Sequence, residues 1–336
     1  MQPSPERIIQ MASAFYDSCV LFTASDLGVF NLLAGQPGLT SHQVADQLQL
    51  DHRATRLLLD GCVALDLLGK HDDYYENTPE TTAFLVVGGA ADLSGAIRYN
   101  RDVYSAWGRL PELARTGQPV EKPETHLGGD PERTRTFVMS MHYRALGIGR
   151  ALVPMIEVGQ GQRLLDVGGG PGTFSVLLAQ ANPGLSCTVL DLPEVAAIAN
   201  ELIEQQGVSQ QVSTLGGDYR QTPFPPNQDM VNFFGVLHQE SPDSIRKLFS
   251  KAYDALGPGG RVNVMDMMTD ATHTAPKFSA MFALNMALTT NDGWVFSDHE
   301  LTNWMAEAGF ENVDIRPLPP PMPHWMATAV KPDKPD

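Results

Sequence analysis

The sequence predicts an α/β protein, a doubly wound and mostly parallel sheet preceded by a mainly helical N-terminal domain. Three observations carry this. From residue 163 onward, apolar runs of strand length alternate with longer runs of helical periodicity. The first of these strands, Leu164-Leu165-Asp166-Val167, enters a glycine turn, Gly168-Gly169-Gly170-Pro171-Gly172, and a helix follows it. Ahead of that turn, residues 5–77 read as clustered helices closed by a small hairpin.

Composition sets the bounds. A chain of 336 residues has room for two cores. With 43% hydrophobic and 18% charged residues it folds rather than staying disordered. A net charge of −16 repels phosphate backbones, so nucleic acid is not an expected partner. No apolar run approaches the ~20 residues of a membrane span and no signal-peptide pattern opens the chain, so no membrane is expected and the cytoplasm is the expected location. Cys19, Cys62 and Cys187 lack metal-ligand spacing; they read as three buried thiols in a reducing compartment, with no metal.

In chain order, residues 5–34 are expected to be helical, with Ile8, Ile9, Met11, Phe15, Leu21, Phe30 and Leu33 among the apolar positions. Thr40 to Gln43 cap a short helix, and a second helix follows Asp51. Leu67–Lys70 and Tyr74–Asn77 flank an Asp72-Asp73 turn as a hairpin, completing a winged-helix pattern. A DNA-binding wing needs Lys or Arg where these acids stand, so the module reads as a protein-contact or substrate-covering one. Helices are expected over 92–160, interrupted by a polar loop at 116–131, with one helix from about Pro131 to Val158. Gly159-Gln160-Gly161 marks a boundary, giving domains of 1–95, 96–160 and 161–336. Beyond it, strands are expected at 187–190, 211–215, 230–234, 261–265, 313–315 and 324–330, and helices at 194–206, 242–256 and 297–308.

The glycine turn departs from the dinucleotide fingerprint, because Thr173 stands at the third glycine position. A P-loop is excluded because no Gly-Lys-Ser/Thr follows. Acids end the strands: Asp166, Asp191, Asp218 and Asp266 fall at the carboxyl end of the sheet, where such folds bind ligands. That wall repels a pyrophosphate and suits a cationic, hydroxyl-rich molecule. S-adenosylmethionine, with an ammonium, a sulfonium and a ribose diol, is such a molecule.

On Leu164–Gly172, Asp191-Leu192-Pro193, Gly216-Gly217-Asp218, Val236-Leu237-His238 and Leu256–Arg261, the chain resembles the class I S-adenosylmethionine-dependent methyltransferases. More narrowly, it resembles the two-domain small-molecule O-methyltransferases of the caffeate and acetylserotonin type. The resemblance spans nearly the whole chain. It implies a Rossmann-like catalytic domain, a winged-helix domain that makes a homodimer, and S-adenosylmethionine converted to S-adenosylhomocysteine. It places Gly168 and Gly170 by the methionine part, Asp191 at the ribose, Asp218 and Tyr219 at adenine, and adds Asp166, Leu192 and Phe234 to the cofactor site. Met139, His142, Met281, Phe282, Asn285, Met286 and Trp294 are the expected lining for a small, aromatic hydroxylated substrate, although such a Met and aromatic set also suits core or dimer packing.

His238 falls where the family carries the base that takes the substrate's hydroxyl proton. An imidazole titrates near ~6.5 and a phenol near ~10, so a positioned His accepts that proton as attack proceeds. Asp266 stands at the place of the first carboxylate that orients the His and completes the catalytic pair. The chain departs from the family in two places. Gln239 and Glu240 follow the His where Asp and Trp are usual, and Val295 stands where a second carboxylate is expected, leaving Glu240 as the candidate replacement. Transfer to a C, N or S nucleophile, or cofactor binding without transfer, therefore stays open. A winged-helix metabolite sensor and an NAD(P)-dependent oxidoreductase are the readings from other classes.

Overall fold

The computed structural model describes residues 4–89, 92–121 and 130–333, in two compact units, Met1–Asp102 and Val103–Asp336. Residues 122–129 of the expected 116–131 loop lie outside the described residues.

The first unit holds α1 (Glu6–Ser13), α2 (Phe15–Asp26), α3 (Val29–Gly35), β1 (Leu39–Thr40), α4 (Ser41–Leu48), α5 (His52–Ala64), β2 (Leu68–His71), β3 (Tyr74–Asn77), α6 (Pro79–Phe84) and α7 (Ser94–Asp102). The cap at Thr40 is a full capping box with Gln43, and the Asp51 carboxylate accepts from the Ala54 N–H. The hairpin β2–β3 gains β1 as a third antiparallel strand, so the winged-helix pattern holds. Phe30, Leu33, Val44, Leu59, Cys62 and Tyr75 build its core. Cys19 is half-buried, so only two of the three thiols are buried as expected. α1 buries none of its residues, and Ile8 is 68% exposed.

The second unit begins with α8 (Tyr104–Gly108), α9 (Leu110–Thr116) and α10 (Pro131–Leu152). α10 stops six residues short of the expected Val158. Pro154, which has no N–H to continue the ladder, turns Val153–Met155 into a 3-10 turn. Then come β4 (Arg163–Val167), α11 (Thr173–Ala181), β5 (Ser186–Asp191), α12 (Pro193–Gln205), β6 (Val212–Gly216), β7 (Gln228–Phe234), α13 (Pro242–Ala255), β8 (Leu256–Asp266), α14 (Lys277–Thr289), α15 (Asp298–Glu307), β9 (Glu311–Pro317) and β10 (Trp325–Val330). The expected doubly wound sheet forms in the order β6-β5-β4-β7-β8-β10-β9. β10 pairs antiparallel with both β8 and β9, and the other pairs are parallel. β8 starts earlier than expected: Gly257–Gly260 stay in the strand, with a register shift opposite Gln228 and Met230.

Side-chain alternation assigns the two faces of the sheet. Leu165, Val231, Val262 and Ala327 face α13 and α15, whereas Leu164, Met230, Met265 and Met326 face α10, α11 and α12. The chain leaves β4 for one side of the sheet and returns on the other as β7. The crevice at this reversal opens between the ends of those two strands.

Candidate active site

On the β4 side the site is mostly backbone. Gly168 (φ +64°) donates its N–H to the Leu190 carbonyl at 2.8 Å. A Cβ there would lie 2.6 Å from Val236 Cγ2 and 3.4 Å from the Tyr219 ring, so the turn admits only glycine. Gly170 (φ +54°) has open space within 4 Å of where its Cβ would stand. Its N–H binds the Asp191 carboxylate at 2.7 Å, which also accepts from the Leu192 N–H at 2.7 Å. Asp166 is fully buried; Ser175 donates to its Oδ2 at 2.7 Å, and its Oδ1 has no partner among the described residues. Burial pushes the carboxyls of Asp166 and Asp191 up to about 6, against the hydrogen bonds each accepts. Asp218 accepts from the Arg220 N–H at 2.9 Å and closes its own turn.

On the β7 side, Gly235 and Val236 lead into a 3-10 turn, Leu237–Gln239, that presents His238. His238 Nδ1 lies 2.7 Å from Asp266 Oδ1, and the His238 backbone N–H donates to Oδ2 at 3.2 Å. The Met267 N–H, at 2.8 Å, also donates to that buried carboxylate. A proton on Nδ1 shared with Asp266 leaves Nε2 as the ring's acceptor. The ring of Phe282 meets His238 edge-on at 5.2 Å. Phe282 and Met286 pack with Met267 and Val295 in one apolar cluster, while Met281 beside them is 43% exposed.

Several expected lining residues are placed differently. Met139 packs with Val138, Val195, Ile198 and Leu192 at the start of α12, and His142 Nδ1 sits 2.8 Å from Thr173 Oγ1 at the start of α11. Both pack on the β4 side; burial lowers the His142 pKa. Phe234, expected at the cofactor, is core: its ring packs edge-on to Phe174 at 5.3 Å. Tyr219 gives its hydroxyl to Glu240 at 2.7 Å. Trp294 braces the turn that carries His238, its N–H donating to the His238 carbonyl at 2.9 Å and its indole to the Glu240 carbonyl at 3.1 Å. Buried Asn285 accepts from the Trp107 indole at 2.9 Å. Glu240 does not replace the missing second carboxylate, because Arg220, Tyr219 and Ser244 take up its oxygens.

The sequence reading missed two residues. One is Trp107, the partner of Asn285. The other is His324, 8% exposed, whose Nδ1 has no partner among the described residues. It stands one residue before Trp325, the register partner of Asp266. Burial, with Arg144 and His238 adding to it and Asp266 opposing, pushes the His324 pKa down to about 4, so the ring is neutral at pH 7. No motif marks either residue.

The β4 side fits a cationic, hydroxyl-bearing nucleoside: open space over Gly170, two carboxylates at its edge, and a buried oxygen with acceptor capacity to spare. Among the described residues, no group of three or more His, Cys, Asp or Glu is placed to hold a metal ion. No single helix among them is long and apolar enough to cross a membrane. Residues 123–311 match the O-methyltransferase domain, and residues 9–87 match the O-methyltransferase dimerisation domain.

The chain belongs to the O-methyltransferase family. It is 32% identical to the tetracenomycin polyketide synthesis 8-O-methyl transferase of Streptomyces glaucescens, over 98% of this chain and 97% of that protein. It is 31% identical to an N,N-dimethyltransferase of Streptomyces rimosus, over 97% and 96%. Among solved structures, human N-acetylserotonin methyltransferase in complex with S-adenosylmethionine superposes with a TM-score of 0.86 at 25% identity, covering 98% of this chain and 99% of that one. This O-methyltransferase is therefore an S-adenosylmethionine-dependent enzyme, and the sensor and oxidoreductase readings fall away.

Proposed function

We propose that this O-methyltransferase methylates a hydroxyl of a small aromatic metabolite, with His238 as the general base. The 2.7 Å contact between His238 Nδ1 and Asp266 carries this reading, because it fixes the ring and leaves Nε2 to receive a proton. When bound, S-adenosylmethionine supplies an electrophilic methyl group on a sulfonium. Asp191 would hold the ribose hydroxyls, the Gly168–Gly170 backbone would border the methionine part, and Asp218 would face adenine. Asp166, with Oδ1 unpartnered, would add negative charge beneath the turn.

At the acceptor, the apolar cluster of Phe282, Met286 and Val295, whose Phe282 ring meets His238, would border an aromatic ring. As the hydroxyl oxygen bonds to the methyl carbon, the carbon–sulfur bond breaks and the hydroxyl proton passes to His238 Nε2. Asp266 steadies the resulting imidazolium, which then loses its proton to solvent. Relatives named for polyketide and acetylserotonin O-methylation support an aromatic acceptor. The exposed apolar side chains of Ile9, Met11, Phe15 and Tyr16, all within the matched dimerisation domain, support a homodimer through residues 1–95. The proposed organisation continues with 96–160 as linker and 161–336 as catalytic domain, and the proposed location is the cytoplasm.

The test uses methyl-deuterated S-adenosylmethionine and a panel of naphthoates and anthraquinones bearing both hydroxyl and amino groups, read by mass spectrometry and NMR. Label on oxygen is expected. A relative acts as an N,N-dimethyltransferase, so label on an amino group, with the hydroxyls untouched, is the result that would replace this reading.

A further inference from the structure

We infer that Glu240 is a positioning residue that ties the nucleoside end of the cofactor site to the turn bearing His238. Glu240 is a carboxylate only 2% exposed, two residues after His238, where the family resemblance leads one to expect Trp. It is not idle charge. Its Oε1 accepts from the Tyr219 hydroxyl at 2.7 Å and from Arg220 Nη2 at 2.8 Å. Arg220 Nε lies 3.0 Å and 3.1 Å from its two oxygens, and Ser244 donates to Oε2. Burial opposes its ionisation, yet the bonds from Arg220, Ser244 and Tyr219 hold its carboxyl below the usual range.

Each side of this cluster leads to a different half of the site. Tyr219 and Arg220 follow Asp218 directly; the Tyr219 ring edge comes within 3.4 Å of where a Gly168 Cβ would stand, and Lys251 pins the same turn by donating to the Tyr219 and Thr222 carbonyls. On the other side, the Glu240 N–H closes the catalytic turn onto Leu237 at 3.0 Å. Trp294 holds the carbonyls of His238 and Glu240, one on each side of Gln239. One buried carboxylate thus joins the 218–222 turn to the 237–240 turn. An adenosine moiety that orders Tyr219 and Arg220 orders the backbone of His238 through the same bonds. The inference rests on the proposed roles of Asp218 and His238.

Hydrogen–deuterium exchange of the full chain, with and without S-adenosylhomocysteine, tests it without any acceptor. In the native protein the ligand is expected to slow exchange at 168–172, at 218–222 and also at 236–240. In Glu240→Gln, affinity should stay within about threefold and protection at 168–172 should persist, while the slowing at 236–240 drops by about tenfold. In turnover, kcat should fall about tenfold with KM for S-adenosylmethionine nearly unchanged. Should Glu240→Gln fail to fold, Tyr219→Phe removes a single hydroxyl bond and should weaken the same protection. Full protection of 236–240 in a folded variant would overturn the inference, as would native 236–240 amides indifferent to a ligand that protects 168–172. Absence of protection at all three segments in the native protein would instead contradict the cofactor site itself.

Discussion

The two halves of the proposed active site are built by different means. The half after β4 is backbone and carboxylate: one contiguous glycine turn, with Asp191 capping it from the neighbouring strand end. The half after β7 is a side-chain assembly in which His238, Asp266, Phe282 and Trp294 come from four separate segments. A backbone cradle recognises a ligand that does not vary, since the parts of S-adenosylmethionine are the same in every turnover. A side-chain wall can be exchanged residue by residue, which suits an acceptor that differs from relative to relative.

The comparison predicts that lesions which spare the Glu240 link divide between cofactor affinity on one side and turnover on the other. The largest separation is expected from Asp191→Ala. It should weaken S-adenosylhomocysteine binding by about 100-fold by calorimetry, since charge-assisted bonds are worth ~1.5–3 kcal/mol each and the variant also frees the Gly170 N–H. Calorimetric affinity close to the native value would remove Asp191 from the site. Next comes Asp266→Asn, which keeps the shape but loses the charge beside His238 Nδ1. Its kcat should fall by roughly 10–100-fold while affinity for S-adenosylhomocysteine stays within about twofold. A loss of cofactor affinity equal to the loss of kcat would mean that the two halves are one.

Acidification should act on the donor half. In the free protein burial pushes the carboxyls of Asp166 and Asp191 up to about 6, and a cationic, hydroxyl-bearing ligand prefers them ionised. Binding therefore expels protons, and affinity is lost as pH falls through 6. The expected drop is about tenfold per group between pH 7 and pH 5. Flat affinity over that interval, measured by calorimetry, would show that neither carboxylate meets the ligand's polar groups.

The same contrast explains what could be read from the sequence. The proposed donor half was visible as a pattern because its residues are local. Asp166, Gly168, Gly170 and Gly172 lie within seven residues, Asp191 closes β5, and Asp218 follows β6 in the next turn. His238 and Asp266 are picked out through the family resemblance: Asp266 closes β8, and His238 lies in the turn four residues beyond the end of β7. What periodicity does not encode is which distant side chain a residue meets. Trp107 and Asn285 pair across 178 positions, and Glu240 is claimed by Arg220 rather than by His238. Met139 and His142 were placed on the right helix, but nothing local to α10 says that this face meets α11 and α12. Phe234 could have been read as core, since alternation from Met230 turns it to the same buried face. Helix α10 ends early for a reason visible in advance: Pro154 stands in the run.

The most direct test of the account is the single-turnover rate of methyl transfer by His238→Ala, with S-adenosylmethionine saturating and the acceptor from the labelled panel. General-base catalysis predicts a fall of ~10²–10⁴-fold in that rate, with affinity for S-adenosylhomocysteine unchanged. Transfer at the native rate from the same bound cofactor would contradict it.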